Sequence, residues 1–353
     1  MGRIKTFLKR KNIDLSPKTY FITAMGAMAQ GLFASLLIGT IFKTVGEWLS
    51  LDFLTQLAGF AMNGYVCGAA IGIAVASALR ATPLVLYSCA TVGAAGYMIG
   101  TTIDGVATAV TAGPAGAFIA VLVACELGKL ESDSTKVDII ITPSVTILSG
   151  FAVAKLICPG VAYAMYYLGE FINTATELHP IPMGIVVSVV VGIILTLPIS
   201  SAAICSMIGI AGIAGGAALA GCAANMVGFA VASYRENKMG GLLAQGLGTS
   251  MLQMGNIIRK PVIWLPVILT SAITGPLATV VFGLKCNGVA AGMGTCGLVG
   301  PLGAITATAE KDAMFWVGLV LICVILPAIL SFIFSEIMRK LGIIKEGDMK
   351  LEL

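Results

Sequence analysis

Residues 180–200 read PIPMGIVVSVVVGIILTLPIS, a run with no charged side chain. A membrane-spanning helix needs about 20 predominantly apolar residues, so this stretch is long enough to cross a bilayer. Pro180 suits the first turn, where its missing N–H leaves no intrahelical bond unmade. The same ring disfavours helical geometry at the residue before it, His179. The reading is therefore a membrane helix that begins at Pro180. Just ahead of it stand Glu177 and His179, the one histidine of the chain.

The rest of the chain has the same texture. Of 353 residues 58% are hydrophobic and only 11% are charged, against about 25% charged in ordinary soluble domains. So little charge cannot cover a soluble surface, and lipid is the natural solvent. Apolar spans are expected near 20–42, 53–79, 83–101, 107–129, 139–158, 180–205, 207–233, 261–283, 288–309 and 313–338, about ten crossings of an all-α polytopic membrane protein. The first eighteen residues carry Arg3, Lys5, Lys9, Arg10, Lys11 and Lys18. They are expected to form a basic interfacial arm on the cytoplasmic side; beside a membrane span, a nucleic-acid-binding arm is the weaker reading, and no nucleic-acid partner is expected. Residues 161–178, with Tyr163, Tyr166, Tyr167 and Phe171, suit an interfacial helix, and 341–353 a polar tail. The run 241–256, GLLAQGLGTSMLQMGN, is too short and too polar to cross and suits a re-entrant hairpin.

An internal echo divides the chain. ITAMGAMAQGLFASLLIGTIF (22–42) aligns with 180–200, and GIAVAS (72–77) with GFAVAS (228–233). The offsets agree, 180 − 22 = 158 and 228 − 72 = 156. Two transmembrane repeats are expected, 19–160 and 179–340, with the re-entrant hairpins in the second. Duplicated halves are common in transporters, whose solute sites lie where broken helices meet. The basic residues Arg235, Lys238, Arg259 and Lys260 favour parallel repeats, whereas the basic C-terminal tail favours inversion; the polar character of 161–178 tips the reading to inversion.

Polar groups inside a membrane are costly and are therefore candidate sites. Glu177 and His179 can accept and donate hydroxyl hydrogen bonds at the mouth of a cavity. The glycine-rich run CNGVAAGMGTCGLVGPLGAI (286–305) offers Asn287 as a ligand and Gly300–Pro301 as a break in a span. Its counterpart IDGVATAVTAGPAGAF (103–118) offers Asp104, Gly113 and Pro114. Asn63 and Asn225 are amides in apolar surroundings, able to bind a solute or to tie helices together. Each taken singly, like Gln30, Gln245, Gln253 and Asn256, fits the second role better. Glu126 and Lys129 form an i, i+3 pair. Arg80 and Arg259, shortly before Pro83 and Pro261, read as interfacial anchors or as binders of an anionic group. The nine cysteines lie mostly in apolar runs without CxxC spacing and read as small buried hydrophobes. No metal site, nucleotide loop or nucleophile–base spacing is present, so no cofactor and no catalytic centre are expected.

Four stretches together resemble the EIIC membrane components of the bacterial sugar phosphotransferase system: TPLVLYSCATVGAAGYMIG, GPAGAFIAVLVACELGKL, ELHPIPMGIVVSVVVGIILTLPISSAAI and CNGVAAGMGTCGLVGPLGAI. The closest likeness is to a stand-alone branch that includes perfringolysin O regulator-like proteins. The resemblance implies a homodimeric sugar permease of the bacterial plasma membrane, with re-entrant hairpins and a histidine and glutamate facing the sugar. Only Glu177 and His179 could fill those parts, and they stand closer together than the separate motifs of sugar-specific members. Neither an EIIA histidine domain nor an EIIB cysteine loop is present, so the resemblance implies separate EIIA and EIIB chains. Three functions follow as expectations: carriage of a sugar or polyol by alternating access, solute sensing that is reported to a partner, and passage of a non-sugar solute.

Overall fold

The computed structural model describes residues 7–8, 10–102 and 110–351. In chain order its helices are α1 (Thr19–Leu49), α2 (Asp52–Ala61), α3 (Gly64–Ala78) and α4 (Pro83–Met98), then α5 (Gly113–Glu131) and α6 (Asp138–Thr176). A two-strand ribbon, β1 (Gly100–Thr101) and β2 (Val110–Thr111), pairs antiparallel between α4 and α5. There follow α7 (Pro180–Thr196), α8 (Ser201–Met207), α9 (Gly212–Ala232), α10 (Tyr234–Leu243) and α11 (Met254–Arg259). The chain continues with α12 (Pro261–Val281), α13 (Gly288–Ala291), α14 (Val299–Ala307) and α15 (Ala313–Lys340).

Six of these (α1, α5, α6, α9, α12 and α15) are long and apolar enough to cross a membrane. The pair α2–α3, bent by 57°, would make a seventh if it is one span. The protein is an all-α polytopic membrane protein. Several boundaries differ from those expected of the sequence, each for a local reason. The apolar run 53–79 is not straight, because Asn63 leaves helical geometry and its side chain accepts the Tyr65 N–H at 2.9 Å, starting α3 afresh. The run 139–158 does not stop before the aromatic segment, since α6 continues for 39 residues with Pro159 inside it. At 1.5 Å per residue it is about 58 Å long, well beyond the ~30 Å hydrocarbon layer. Gly300–Pro301 opens α14 rather than breaking a span, because proline is tolerated in a first turn. The break lies just before it, where Gly294, Gly297 and Leu298 take left-handed backbone.

The chain divides into two compact units, residues 1–39 with 56–165 and residues 40–55 with 166–353. In the first, α3, α4 and α5 pack closely through small residues. A Cβ on Gly72 would lie 2.1 Å from the Cys89 carbonyl oxygen, so glycine is what lets α3 and α4 meet backbone to backbone. Lys129 on α5 is 2% exposed; its ammonium donates to the Asn12 and Leu79 carbonyls and to Glu126, which bears out the i, i+3 pair. In the second unit the centre is α9, small-residue-rich and 83% buried over its most apolar window. A side chain on Gly221 would collide with the Ser188 carbonyl at 1.8 Å, so α7 and α9 also touch through backbone. All nine cysteines are buried.

Candidate functional site

Helices α7 and α9 run parallel. Gly221 faces Ser188, and four residues on, Asn225 faces Gly192 and Thr196. From the Ser188 level back to Pro180 is about 12 Å, and from Gly221 back to Gly212 about 14 Å. Both helices therefore begin at the same end of the second unit, with the positive ends of their dipoles together. Glu177 and His179 stand there exposed, His179 as the extended residue before α7. Among the described residues neither side chain makes a hydrogen bond, so their hydroxyl-binding capacity is unused. Asn287 is at this end too: its Oδ1 accepts the Gly212 N–H at 3.2 Å, and it is exposed.

Around Asn287 the backbone is irregular. Cys286 N–H donates to the Gly212 carbonyl and Gly288 N–H to the Ile210 carbonyl, which lays residues 284–288 along the start of α9. Gly215 and Gly216 make room; a Cβ on either would sit 1.9 Å from the carbonyl of Cys286 or Leu284. The chain then coils through α13 and a run of left-handed residues to α14, where Gly300 is buried and its N–H donates to the Gly294 carbonyl at 3.0 Å. Pro301 is half-buried beside it.

A second broken segment, 244–259, follows α10. It passes through a wide turn, a tight turn at Ser250–Gln253 and then α11. Thr295 Oγ1 donates to the Gly246 carbonyl at 2.5 Å and so ties the two broken segments together. Thr196 and Ser250 share a hydroxyl bond of 2.7 Å. Asn225, fully buried, anchors this region: Oδ1 accepts from Thr196 and from Trp264 Nε1, and Nδ2 donates to the Gly221 carbonyl and to Ser271 Oγ. An amide has two donors and two acceptor lone pairs, so all four are taken. Asn225 lies about 20 Å along α9 from Gly212, too far to share a small solute with Asn287.

The other residues singled out in the sequence lie in the first unit. Asn63 is exposed and caps α3. Gly113 takes a left-handed conformation (φ +58°) at the start of α5, and Pro114 follows in its first turn. Asp104 lies outside the described residues. Thr196, Ser250, Ser271, Thr295 and Trp264 were not legible as a cluster, because single hydroxyls in apolar runs have no distinctive spacing.

Within the second unit, residues 344–351 pack back against the second broken segment. Gln245 donates to Ser233, Gln253 donates to Gln245 and to the Met349 carbonyl, and Asn256 donates to Gln253 and to the Lys350 carbonyl. Met349 and Ile344 are buried in the apolar cluster of Phe229, Ile257, Ile263 and Met338. Of the amides expected to tie helices together, Gln253 and Asn256 bond the tail directly, and Gln245 links Gln253 to Ser233 at the end of α9.

No curated protein and no solved structure matches this chain. A family model does, described as "Phosphotransferase system, EIIC" and aligned over residues 22–351, nearly all of the spans and both broken segments. The chain therefore belongs to the EIIC family of the phosphotransferase system and is a multi-pass membrane component of that kind.

Proposed function

We propose that this protein is a permease for a small polyhydroxylated solute, a sugar or polyol, and that the solute binds in the second unit beside the broken segments. The observation that carries this reading is the irregular, largely buried backbone at 244–253 and 291–298. In a bilayer such backbone is tolerated only where protein or a water-filled path satisfies it, and transporters use such broken helices to hold their cargo. Glu177 and His179 supply unused hydroxyl partners at the end where α7 and α9 begin, and Asn287 adds an exposed amide nitrogen there. The solute meets Glu177, His179 and Asn287, and moves by alternating access past the Thr295–Gly246 tie. Its phosphoryl partners are separate EIIA and EIIB chains, its assembly is a homodimer in the bacterial plasma membrane, and its basic N-terminal arm is cytoplasmic.

The test is binding and uptake in proteoliposomes with a panel of radiolabelled sugars and polyols, with and without a phosphorylated EIIB chain. At least one sugar should bind. Glu177→Gln and His179→Ala should each weaken that binding by about tenfold, as loss of a charge-assisted or buried hydrogen bond does. Absence of binding and flux across the panel overturns the reading. Flux of inorganic or organic ions alone would mark a carrier of another class. Binding without flux would mark a sensor.

A further inference from the structure

The first unit holds a polar cavity that the transport reading does not use. It has a volume of about 350 Å³ and is lined by Asn12, Asp14, Thr19, Thr23, Arg80 and Lys129, among others. That volume is in the range of small-molecule sites.

Arg80 is the unusual member. The Arg80 N–H donates to the Ser77 carbonyl and the Ala81 N–H to the Ala76 carbonyl, the paired bonds that close α3 with a left-handed residue. Arg80 is that residue, at φ +56°. Glycine takes this conformation at little cost, whereas a side chain pays on the order of 1 kcal/mol or more. The chain has 43 glycines, yet it places an arginine here. Arg80 is exposed and, among the described residues, its guanidinium makes no hydrogen bond or ion pair, so no such bond accounts for its place here.

The facing groups define what the cavity would take. Asp14 is held by Ser16 and Thr19: Ser16 N–H donates to Oδ1 at 3.2 Å, Ser16 Oγ to Oδ2 at 3.2 Å and Thr19 Oγ1 to Oδ2 at 2.8 Å. Oδ1 keeps a free lone pair. Asp14 and Arg80 line one cavity without forming an ion pair, which leaves each open to a ligand set between them. The charge of Lys129 is answered by Glu126 and two carbonyls, so of the two cations on the wall it is Arg80 that has no hydrogen-bonded partner among the described residues. Thr23 is an exposed residue on the wall.

We infer that this cavity is a second binding site, separate from the permeation path, for a small polyhydroxylated anion. Its anionic group pairs with Arg80 and its hydroxyls donate to Asp14 and meet Thr23. Asp14 repels an anion that carries no hydroxyl apart from its charged group, since donation from the charged group itself brings two negative charges together, so it selects against bare phosphate. The anionic group can be a phosphate ester or a carboxylate; the chemistry shared by both is a guanidinium partner beside a carboxylate that accepts hydroxyls.

The test is titration calorimetry on the full chain in nanodiscs with glucose 6-phosphate, gluconate, inorganic phosphate and glucose. Glucose 6-phosphate or gluconate should bind at least tenfold more tightly than inorganic phosphate, and which of the two binds identifies the anionic group. Arg80→Gln should weaken that binding at least tenfold. Asp14→Asn should weaken the hydroxylated anion and strengthen inorganic phosphate. Arg80→Gly should abolish binding while raising the melting temperature, because glycine relieves the left-handed backbone. Equal affinity for inorganic phosphate, or binding that survives Arg80→Gln, overturns the inference, as does the absence of binding by both hydroxylated anions. Glu177→Gln in the second unit should leave this binding unchanged, so failure here and failure of the transport reading are told apart.

Discussion

At the scale of single residues, the second unit depends on one amide. Asn225 fills its hydrogen-bonding capacity with partners from α7, α9 and α12. Hydrogen bonds between membrane helices average about 0.6 kcal/mol each, so Asn225→Leu should destabilise the fold by about 2 kcal/mol, more if the Trp264 indole is left unpaired in the core. The indole is also the reporter: its emission should change in Asn225→Leu and the unfolding midpoint in denaturant should fall. An unchanged midpoint would mean that the four bonds are replaceable. Sequence alone left Asn225 open between solute ligand and helix tie, because both uses put an amide in an apolar run. The fold adds that its partners are saturated, and three of the four come from positions 29 to 46 residues away. Glu177 and His179 are the converse case. Their prominence was plain in the sequence, since a lone histidine next to a proline-started helix is easy to see. Their unused bonding capacity is not visible without the fold.

At the scale of elements, the broken segments are held by few groups. Thr295→Val removes the bond to the Gly246 carbonyl while keeping shape, so hydrogen exchange over 244–249 and 292–298 should quicken while that of α9 stays slow. Equal exchange in both proteins would show that the tie is not what couples them. The tail adds a second hold, with a pH dependence. Burial raises the Asp348 carboxyl, but the hydrogen bond from Lys260, the N–H of Lys345 and the charges of both lysines outweigh it, leaving Asp348 below its ordinary value. A depressed carboxyl contributes stability that is full above its unfolded value and is lost as pH falls through its folded value. The tail should stay protected from protease at neutral pH and loosen in strong acid, and Lys260→Met should move the loosening to higher pH. The sequence marked 241–256 as too polar to cross, which is why a broken segment was legible there. It could not place the tail on it, because the bonds from Gln253 and Asn256 end on backbone carbonyls, which any residue type supplies.

At the scale of the whole molecule, composition was enough for the class: so few charges cannot make a water-facing surface. The division into units was less legible, because residues 40–55 group with 166–353 rather than with their neighbours in sequence, and grouping of that kind follows from tertiary contact. The lengths of the helices likewise depend on where single residues such as Asn63 and Pro159 bend or fail to bend the chain. Lipid as solvent has a direct consequence for the outer faces. Leu148 in α6 is 70% exposed in the protein alone, and only 28% of the most apolar window of that helix is buried. On a water-facing surface, Leu148→Arg would change stability by no more than about 0.5 kcal/mol. Facing hydrocarbon near the middle of a span, the same change costs about 2.5–3.5 kcal/mol of insertion free energy. Membrane-integrated yield of Leu148→Arg should therefore fall sharply, whereas Lys43→Ala, at an exposed salt-linked site, should integrate as the parent does. If both variants integrate equally, α6 does not face lipid at Leu148, and its exposed side is covered by another surface of protein.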